Sequence, residues 1–249
     1  MKKTIAMVLL LGLAAMPLLA EKPSKERANA TANTAAPVME DNATSAQLES
    51  VLDELDKAAA NFRSAQAEFV WEQYQKVVDE TDKQVGTAFF VRHEKDTHMA
   101  ATITEPEKKI LLFTDGKIRF YQPKIEQVTE YDAGAKKEEV ESFLVLGFGG
   151  RGHDLPKSFH IKFEGHEKID GISVAKLNLV PKSDKVRNMF ARIILWVDTA
   201  RGVSLKQQAF EPSGDYRTAY YNNIKVNAKV PDDTFKLKTT NKTKFIRPQ

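Results

Sequence analysis

The sequence predicts a mainly β fold (α+β), in which a single curved antiparallel sheet of about eleven strands is covered by two helices. Segments with strand-like alternation follow one another with only short turns between them, and only two segments have helical spacing. No repeat and no second domain are visible. A sheet of this many twisted strands curls, so its open side is the natural place for the helices.

Residues 1–20 have the pattern of a secretory signal peptide. Lys2 and Lys3 form a charged start, an apolar run follows from Ile5 to Leu13, and Ala20 offers a cleavage point. The alternative is a membrane anchor, but the apolar run is shorter than the roughly 20 residues that a spanning helix needs. We therefore expect the chain to be exported.

Residues 21–44 are expected to form a flexible leader, because they contain almost no large apolar side chain. The folded domain is expected over 45–240, followed by a basic tail over 241–249. The chain has no cysteine, which excludes disulfides, thiolate metal sites and a lipid-modified cysteine. Loss of residues 1–20 removes two lysines and no acid, so the formal charge falls from +3 to +1. A near-neutral surface argues against nucleic acid as a partner.

The first helix is predicted to start at Thr44, which stands three residues before Gln47 in a capping-box pattern. Apolar residues at helical spacing continue as far as Phe62, and the pattern then alternates. Strands are predicted at 65–79, 84–93, 97–104, 109–114, 117–122 and 125–130, with Asp115-Gly116 as the strongest hairpin signal. A second helix is predicted over Lys136–Leu146. Strands resume at 158–165, 172–180, 189–198, 202–211 and 216–226.

Alternation within the strands predicts which side chains share a face. In the segment FHIKFE, Phe159, Ile161 and Phe163 alternate with polar residues, so one face of that strand is apolar. The residues expected to line an apolar concave face or its gate are Phe69, Trp71, Phe90, Ile118, Phe120, Phe143, Leu144, Ile161, Phe163, Ile193 and Leu195. The face could be a packed core, or a cavity that two short helices do not fill.

Several motifs, taken in order, resemble the outer-membrane lipoprotein carrier (LolA) family. These are DGK followed by FYQP and EQ within 109–128, then ILWVD, SGDYR and NNIKVNAKVPDDTF within 189–235. The resemblance covers about residues 48–236. It implies an incomplete β-barrel with a helical lid, which carries lipid-modified proteins in an apolar cavity and performs no chemistry on them.

Arg92 is the candidate for the residue that holds the lid closed. It shares a strand face with Ala88 and Phe90, so its guanidinium needs acceptors, and we expect backbone carbonyls or side chains of the covering helix and loop. The alternative is an arginine that points outward into water. Family resemblance implies that Arg92 is the lid latch, which lipid displaces.

The resemblance implies a periplasmic chaperone that binds the acyl chains of lipoproteins and shuttles them from the inner to the outer membrane. Its partners would be lipid-modified proteins, an inner-membrane ABC-type releasing complex of the LolCDE kind and an outer-membrane acceptor. A monomer is expected, without cofactor, metal site, nucleic acid or catalytic residues, because no G-x-S-x-G or H-E-x-x-H motif is present. Alternatives are a carrier of another amphiphilic lipid or glycolipid, and a periplasmic lipoprotein sensor that binds an anti-sigma factor.

Overall fold

The structure, a computed structural model, describes residues 39–93, 96–134 and 137–248. The predicted signal peptide and residues 21–38 of the predicted leader lie outside the described residues. The helices in the described part are α1 (Met39–Asn61), α2 (Lys137–Leu144), α3 (Leu155–Ser158) and α4 (Asp184–Arg187). None of these helices is long and apolar enough to cross a membrane.

Within the described residues, twelve strands form a single sheet, which confirms the predicted mainly β fold. The strands are β1 (Ser64–Gln75), β2 (Glu80–His93), β3 (Asp96–Glu105), β4 (Lys109–Thr114), β5 (Lys117–Gln122), β6 (Gln127–Asp132), β7 (Phe159–Ile169), β8 (Ile172–Pro181), β9 (Arg192–Asp198), β10 (Val203–Phe210), β11 (Tyr216–Val226) and β12 (Lys244–Ile246). Their order across the sheet is β12-β6-β5-β4-β3-β2-β1-β11-β10-β9-β8-β7. Strand β12 was not predicted, and it pairs in parallel with β6 in the segment expected to be a basic tail.

Several element boundaries differ from the prediction, among them the starts of α1 and β9 and the position of the β1–β2 turn. Helix α1 begins at Met39, before the capping pattern at Thr44, because good helix formers such as methionine, glutamate and alanine precede that pattern. The β1–β2 turn lies over 76–79, where Asp79 has a φ of 53°, and residues 80–83 are strand. Strand β9 starts late, because Phe190 donates its backbone N–H to the Val186 carbonyl of α4 at 2.8 Å.

The Asp115-Gly116 hairpin is present as predicted. Both residues have positive φ values, 53° and 72°, which is the conformation that a tight two-residue hairpin turn requires. Strands β4 and β5 pair directly on either side of it, with Thr114 opposite Lys117.

The pairing register shows which residues share the concave face of the sheet. One row of directly paired residues runs Phe120, Leu111, Ala101, Ala88, Ala67, and another runs Trp71, Ala219, Gln207, Leu195, Leu177, Phe163. These rows and their neighbours place all nine strand residues of the predicted apolar set on this face. The opposite, convex face carries a separate buried cluster around Trp196.

Candidate functional site

Helix α1 lies against one end of the concave face. Its apolar side chains at helical spacing are buried, namely Val51, Leu52, Leu55 and Ala59, and Phe62 follows directly after the helix. Burial of a side chain of this size contributes about 1.5–3 kcal/mol relative to exposure. Packing of this stripe therefore fixes the helix over the sheet.

The covering loop, residues 145–151, completes the closure. Its backbone pairs with the start of β10 through an isolated bridge between Phe148 and Val203. The Ser204 N–H donates to the Gly147 carbonyl at 2.7 Å, and the Gln207 side chain donates to the Leu146 carbonyl at 2.7 Å. The loop is therefore held by polar contacts that can exchange with water.

Gly149 is the point at which the covering loop meets α1. Its φ of 71° lies in the left-handed region, and a Cβ atom there would come within 2.2 Å of the Phe62 ring. Only glycine satisfies both conditions without displacement of the ring. The Gly149 carbonyl is consequently brought close to the end of the helix.

Arg92 joins these two covering elements to the sheet. Its guanidinium donates to the Ala59 carbonyl at 2.6 Å and to the Gly149 carbonyl at 2.5 Å, with a longer bond of 3.4 Å to the Phe62 carbonyl. The guanidinium carbon also lies 5.7 Å from the centre of the Phe62 ring. A single side chain of β2 thus bonds both the last turn of α1 and the covering loop.

A cavity of about 720 Å³ lies between α1, the covering loop and the sheet. Apolar side chains make up much of its wall, namely Leu55, Ala59, Ala60, Val145, Leu146, Leu155, Phe159, Leu195 and Val197. Polar side chains, including Asp56, Arg92 and Arg151, are also part of the wall. A volume of this size falls within the range of about 300–1,000 Å³ that is typical of small-ligand sites.

The residues predicted to line a cavity do not all reach this one. Arg92 and Leu195 belong to its wall. The others are not wall residues there: Phe69, Phe90, Ile118, Phe120, Phe163 and Ile193 are buried, and Trp71, Phe143, Leu144 and Ile161 are half-buried. Phe143 of α2 lies beside Phe159, with ring centres 5.5 Å apart. The concave face is therefore partly filled in this closed arrangement.

Phe148, which was not among the predicted site residues, fills the centre of the concave face. It is 2% exposed, and its ring stacks on Phe90 at 4.0 Å and meets Tyr221 edge-on at 4.8 Å. The sequence does contain a signal for Phe148, because a large aromatic side chain stands among Gly147, Gly149 and Gly150 in a predicted loop. The covering loop thus inserts its own aromatic side chain where an apolar ligand would pack.

His153 ties α1 to the segment after the covering loop. Its Nδ1 lies 2.9 Å from Asp56 Oδ2, its Nε2 lies 2.8 Å from Glu49 Oε1, and its backbone N–H donates to Asp56. The hydrogen bonds to Glu49 and then Asp56 raise the pKa of His153. Burial raises the pKa of Asp56, but the His153 bonds and the Arg151 charge outweigh burial and leave that pKa lowered.

Because the pKa of His153 is raised in the folded protein, its stabilising effect is present below its ordinary value near 6.5 and is lost as pH rises through the raised value. We expect the unmodified protein to melt at a higher temperature than the His153→Gln variant at pH 6, and the difference to shrink by pH 9. Thermal unfolding by circular dichroism at both pH values measures this. A constant difference across the range would contradict the prediction.

Helix α2 is held at the same end of the sheet by two contacts with the start of β3. Glu141 accepts a hydrogen bond from the Thr97 N–H at 2.5 Å, and Lys137 pairs with Asp96 at 2.5 Å. The hydrogen bond from Lys137 lowers the pKa of Asp96, against a smaller opposing effect of desolvation. These polar contacts hold α2 in addition to the apolar packing that holds α1 and the covering loop.

Comparison with known proteins identifies the family of the chain. The model of the family "Outer membrane lipoprotein carrier protein LolA" matches residues 60–238. The chain belongs to the LolA family. The match includes Arg92, the covering loop and the strands that form the cavity wall. Among curated proteins, no sequence matches the chain.

Solved structures of low sequence identity superpose on much of the chain. An uncharacterized conserved protein from Thermus thermophilus superposes with a TM-score of 0.52 at 13% identity, over 82% of this chain and 99% of that one. MucB superposes with a TM-score of 0.50 at 13% identity, over 77% of this chain and 63% of MucB. LprF from Mycobacterium bovis has a TM-score of 0.43 at 14% identity, over 76% of this chain and 98% of LprF.

Proposed function

We propose that this LolA-family protein is a periplasmic carrier, which binds the acyl chains of lipoproteins in its cavity and transports them from the inner to the outer membrane. The observation that carries the proposal is the cavity of about 720 Å³ whose cover is bonded to the sheet through Arg92. The export signal predicted at residues 1–20 supports a location in the periplasm. The function is sequestration without catalysis.

The carrier would receive cargo from an inner-membrane ABC-type complex of the LolCDE kind and deliver it to an outer-membrane acceptor. Such a handover requires that the loaded and empty states differ little in free energy, because a very stable loaded state would retain its cargo. The contacts of the cover allow this difference to be estimated.

Burial of one acyl chain of roughly fifteen methylenes gains about 12 kcal/mol, at about 0.8 kcal/mol for each methylene. To admit it, the cover must give up the two short Arg92 bonds, each worth about 1.5–3 kcal/mol for a charged donor, and the packing of Phe148, worth about 3–5 kcal/mol. These losses amount to about 6–11 kcal/mol. The loaded state is thus favoured by a small margin, which suits a protein that must also release its cargo.

Mass spectrometry of the material that co-purifies with the protein from its native envelope tests the proposal. We expect lipid-modified proteins or their acylated peptides, because the cavity wall combines apolar residues with a polar rim. Recovery of a free glycolipid would instead support the alternative carrier role. Capture of an anti-sigma factor without any lipid would support the sensor role and contradict the carrier proposal.

A further inference from the structure

A polar strip crosses the concave face between its two apolar halves. We define this strip as Gln84, Trp71 and Gln207 on one row of paired strands, with Gln73 and Arg217 on the next row. The adjacent region on β3, β4 and β5 presents apolar side chains on the same face, such as Ala101, Leu111 and Phe120. All five strip residues are half-buried, so they do not form an ordinary solvated surface.

On the paired residues Trp71 and Gln84, the atoms Trp71 Nε1 and Gln84 Oε1 are buried without a hydrogen bond among the described residues. A buried polar atom without a partner costs about 1–3 kcal/mol. Burial raises the pKa of Tyr221, and a side-chain interaction with Trp71 opposes that effect, so the Trp71 N–H lies near the Tyr221 hydroxyl without meeting hydrogen-bond geometry. The strip therefore places a donor and an acceptor, neither with a full hydrogen bond, on directly paired residues of β1 and β2.

The strip begins at the wall of the cavity. Gln207 is the cross-strand partner of Leu195, which belongs to the wall, and it donates to the carbonyl of Leu146, another wall residue. From Gln207 the strip continues to Tyr221, whose hydroxyl lies 3.5 Å from Gln207 Oε1. Phe148 covers Tyr221. Displacement of the covering loop would thus join the strip to the cavity.

The charges in the strip indicate the class of ligand. Arg217 lies 3.0 Å from Glu211, so its positive charge is compensated within the protein. The remaining groups are an indole N–H and carboxamides, which donate and accept hydrogen bonds without net charge. A carboxylate or phosphate would find no uncompensated cation in this strip, whereas a hydroxyl can both donate and accept.

We propose that the polar strip is a subsite for the uncharged, hydroxyl-bearing part of an amphiphile, a glyceryl or glycosyl group, whose acyl chain occupies the cavity. This inference rests on the acyl-chain site of the proposed carrier function and goes beyond its lipoprotein cargo, because the glyceryl group of a lipid-modified protein is esterified and has no free hydroxyl. The cavity would hold the acyl chain, while Trp71 and Gln84 bind the hydroxyls that enter with it.

The test compares three amphiphiles with equal acyl or alkyl chains, namely dodecyl glucoside, monolaurin and laurate, by displacement of a fluorescent fatty-acid probe. The Trp71→Phe and Gln84→Leu variants each remove one hydrogen-bonding group and keep the apolar bulk. We expect each variant to bind dodecyl glucoside and monolaurin about five- to tenfold more weakly, the effect of one hydrogen bond, with laurate affinity unchanged. If the variants lost affinity only for dodecyl glucoside, the subsite would be specific for glycosyl groups. If they lost affinity only for monolaurin, it would be specific for glyceryl groups.

Matched controls lie on the convex face. Trp196→Phe removes the N–H that donates to Glu167, and Gln208→Leu replaces a glutamine of the same strand as Gln207. Both should leave all three affinities unchanged. Equal weakening of laurate by the strip variants, or no weakening of any ligand, would overturn the subsite alone. Failure of the unmodified protein to bind any of the three would overturn the carrier function and the subsite with it.

Discussion

Replacement of Arg92 by leucine is expected to make the protein hold its cargo at least about a hundredfold more tightly and release it more slowly to an acceptor, because two bonds of about 1.5–3 kcal/mol each are lost. The substitution removes the hydrogen bonds to the Ala59 and Gly149 carbonyls, so the empty closed state loses stability while the loaded open state loses little. Transfer of a lipid-modified protein from the carrier to acceptor-bearing vesicles measures the release rate.

Arg63→Leu is the matched control for this experiment. Arg63 lies beside the end of α1 and is exposed, so the same substitution there should change neither affinity nor release. Circular dichroism should show an unchanged fold for both variants. Normal release by the Arg92→Leu protein would refute the latch role of Arg92.

Truncation of Phe148 to alanine is expected to have two opposite effects. Loss of its packing against Phe90 and Tyr221 should lower the free energy of unfolding by about 3–5 kcal/mol, as for other buried phenylalanines. The same change leaves a larger apolar hollow under the covering loop, so uptake of an apolar fluorescent probe by the empty protein should increase. Urea denaturation and probe titration measure the two effects.

Leu112→Ala is the control that separates the loss of stability from the gain in probe uptake. Leu112 is 1% exposed and projects from the opposite face of β4, so its truncation should also cost about 2–5 kcal/mol of stability. It should not increase probe uptake, because the cavity lies on the other face of the sheet. If both variants increased uptake equally, general loosening would be the cause and Phe148 would have no specific role as a plug.

Strand parity was predictable because alternation of apolar and polar residues directly reflects the two faces of a sheet. All nine strand residues expected to share a face do so in the pairing register. The acceptors of Arg92 could be predicted only by kind, since a buried guanidinium requires carbonyls. Their identity depends on where α1 ends and on the conformation of Gly149, which are tertiary features.

The β1–β2 hairpin shows why hydrophobicity alone misplaced a boundary. Polar residues 80–83 suggested a turn, yet they form strand pairs with the end of β1, and the true turn exposes Val77 at 94%. The polar character of this region continues into the strip around Gln84, on the concave face. Polarity therefore predicts a loop where the chain forms an exposed extension of β2.

Which residues line the cavity was harder to predict than which residues are buried. The same apolar pattern fits a packed core and a cavity wall, so it does not distinguish them. Whether Phe90 faces space or packs against another ring depends on Phe148, which reaches it from a loop far along the chain. No local pattern specifies such a contact. The polar wall residues Asp56 and Arg151 likewise become neighbours only when α1 folds over the loop.

Strand β12 has a consequence for the order in which the sheet is completed. It contains only three residues, all exposed, yet it occupies the hydrogen-bonding edge of β6, and Arg247 secures it to Glu130 at 3.0 Å. An unoccupied sheet edge invites pairing with another molecule. Since β12 follows β6 by more than a hundred residues, this edge of β6 stays unpaired during folding until residues 244–246 reach it.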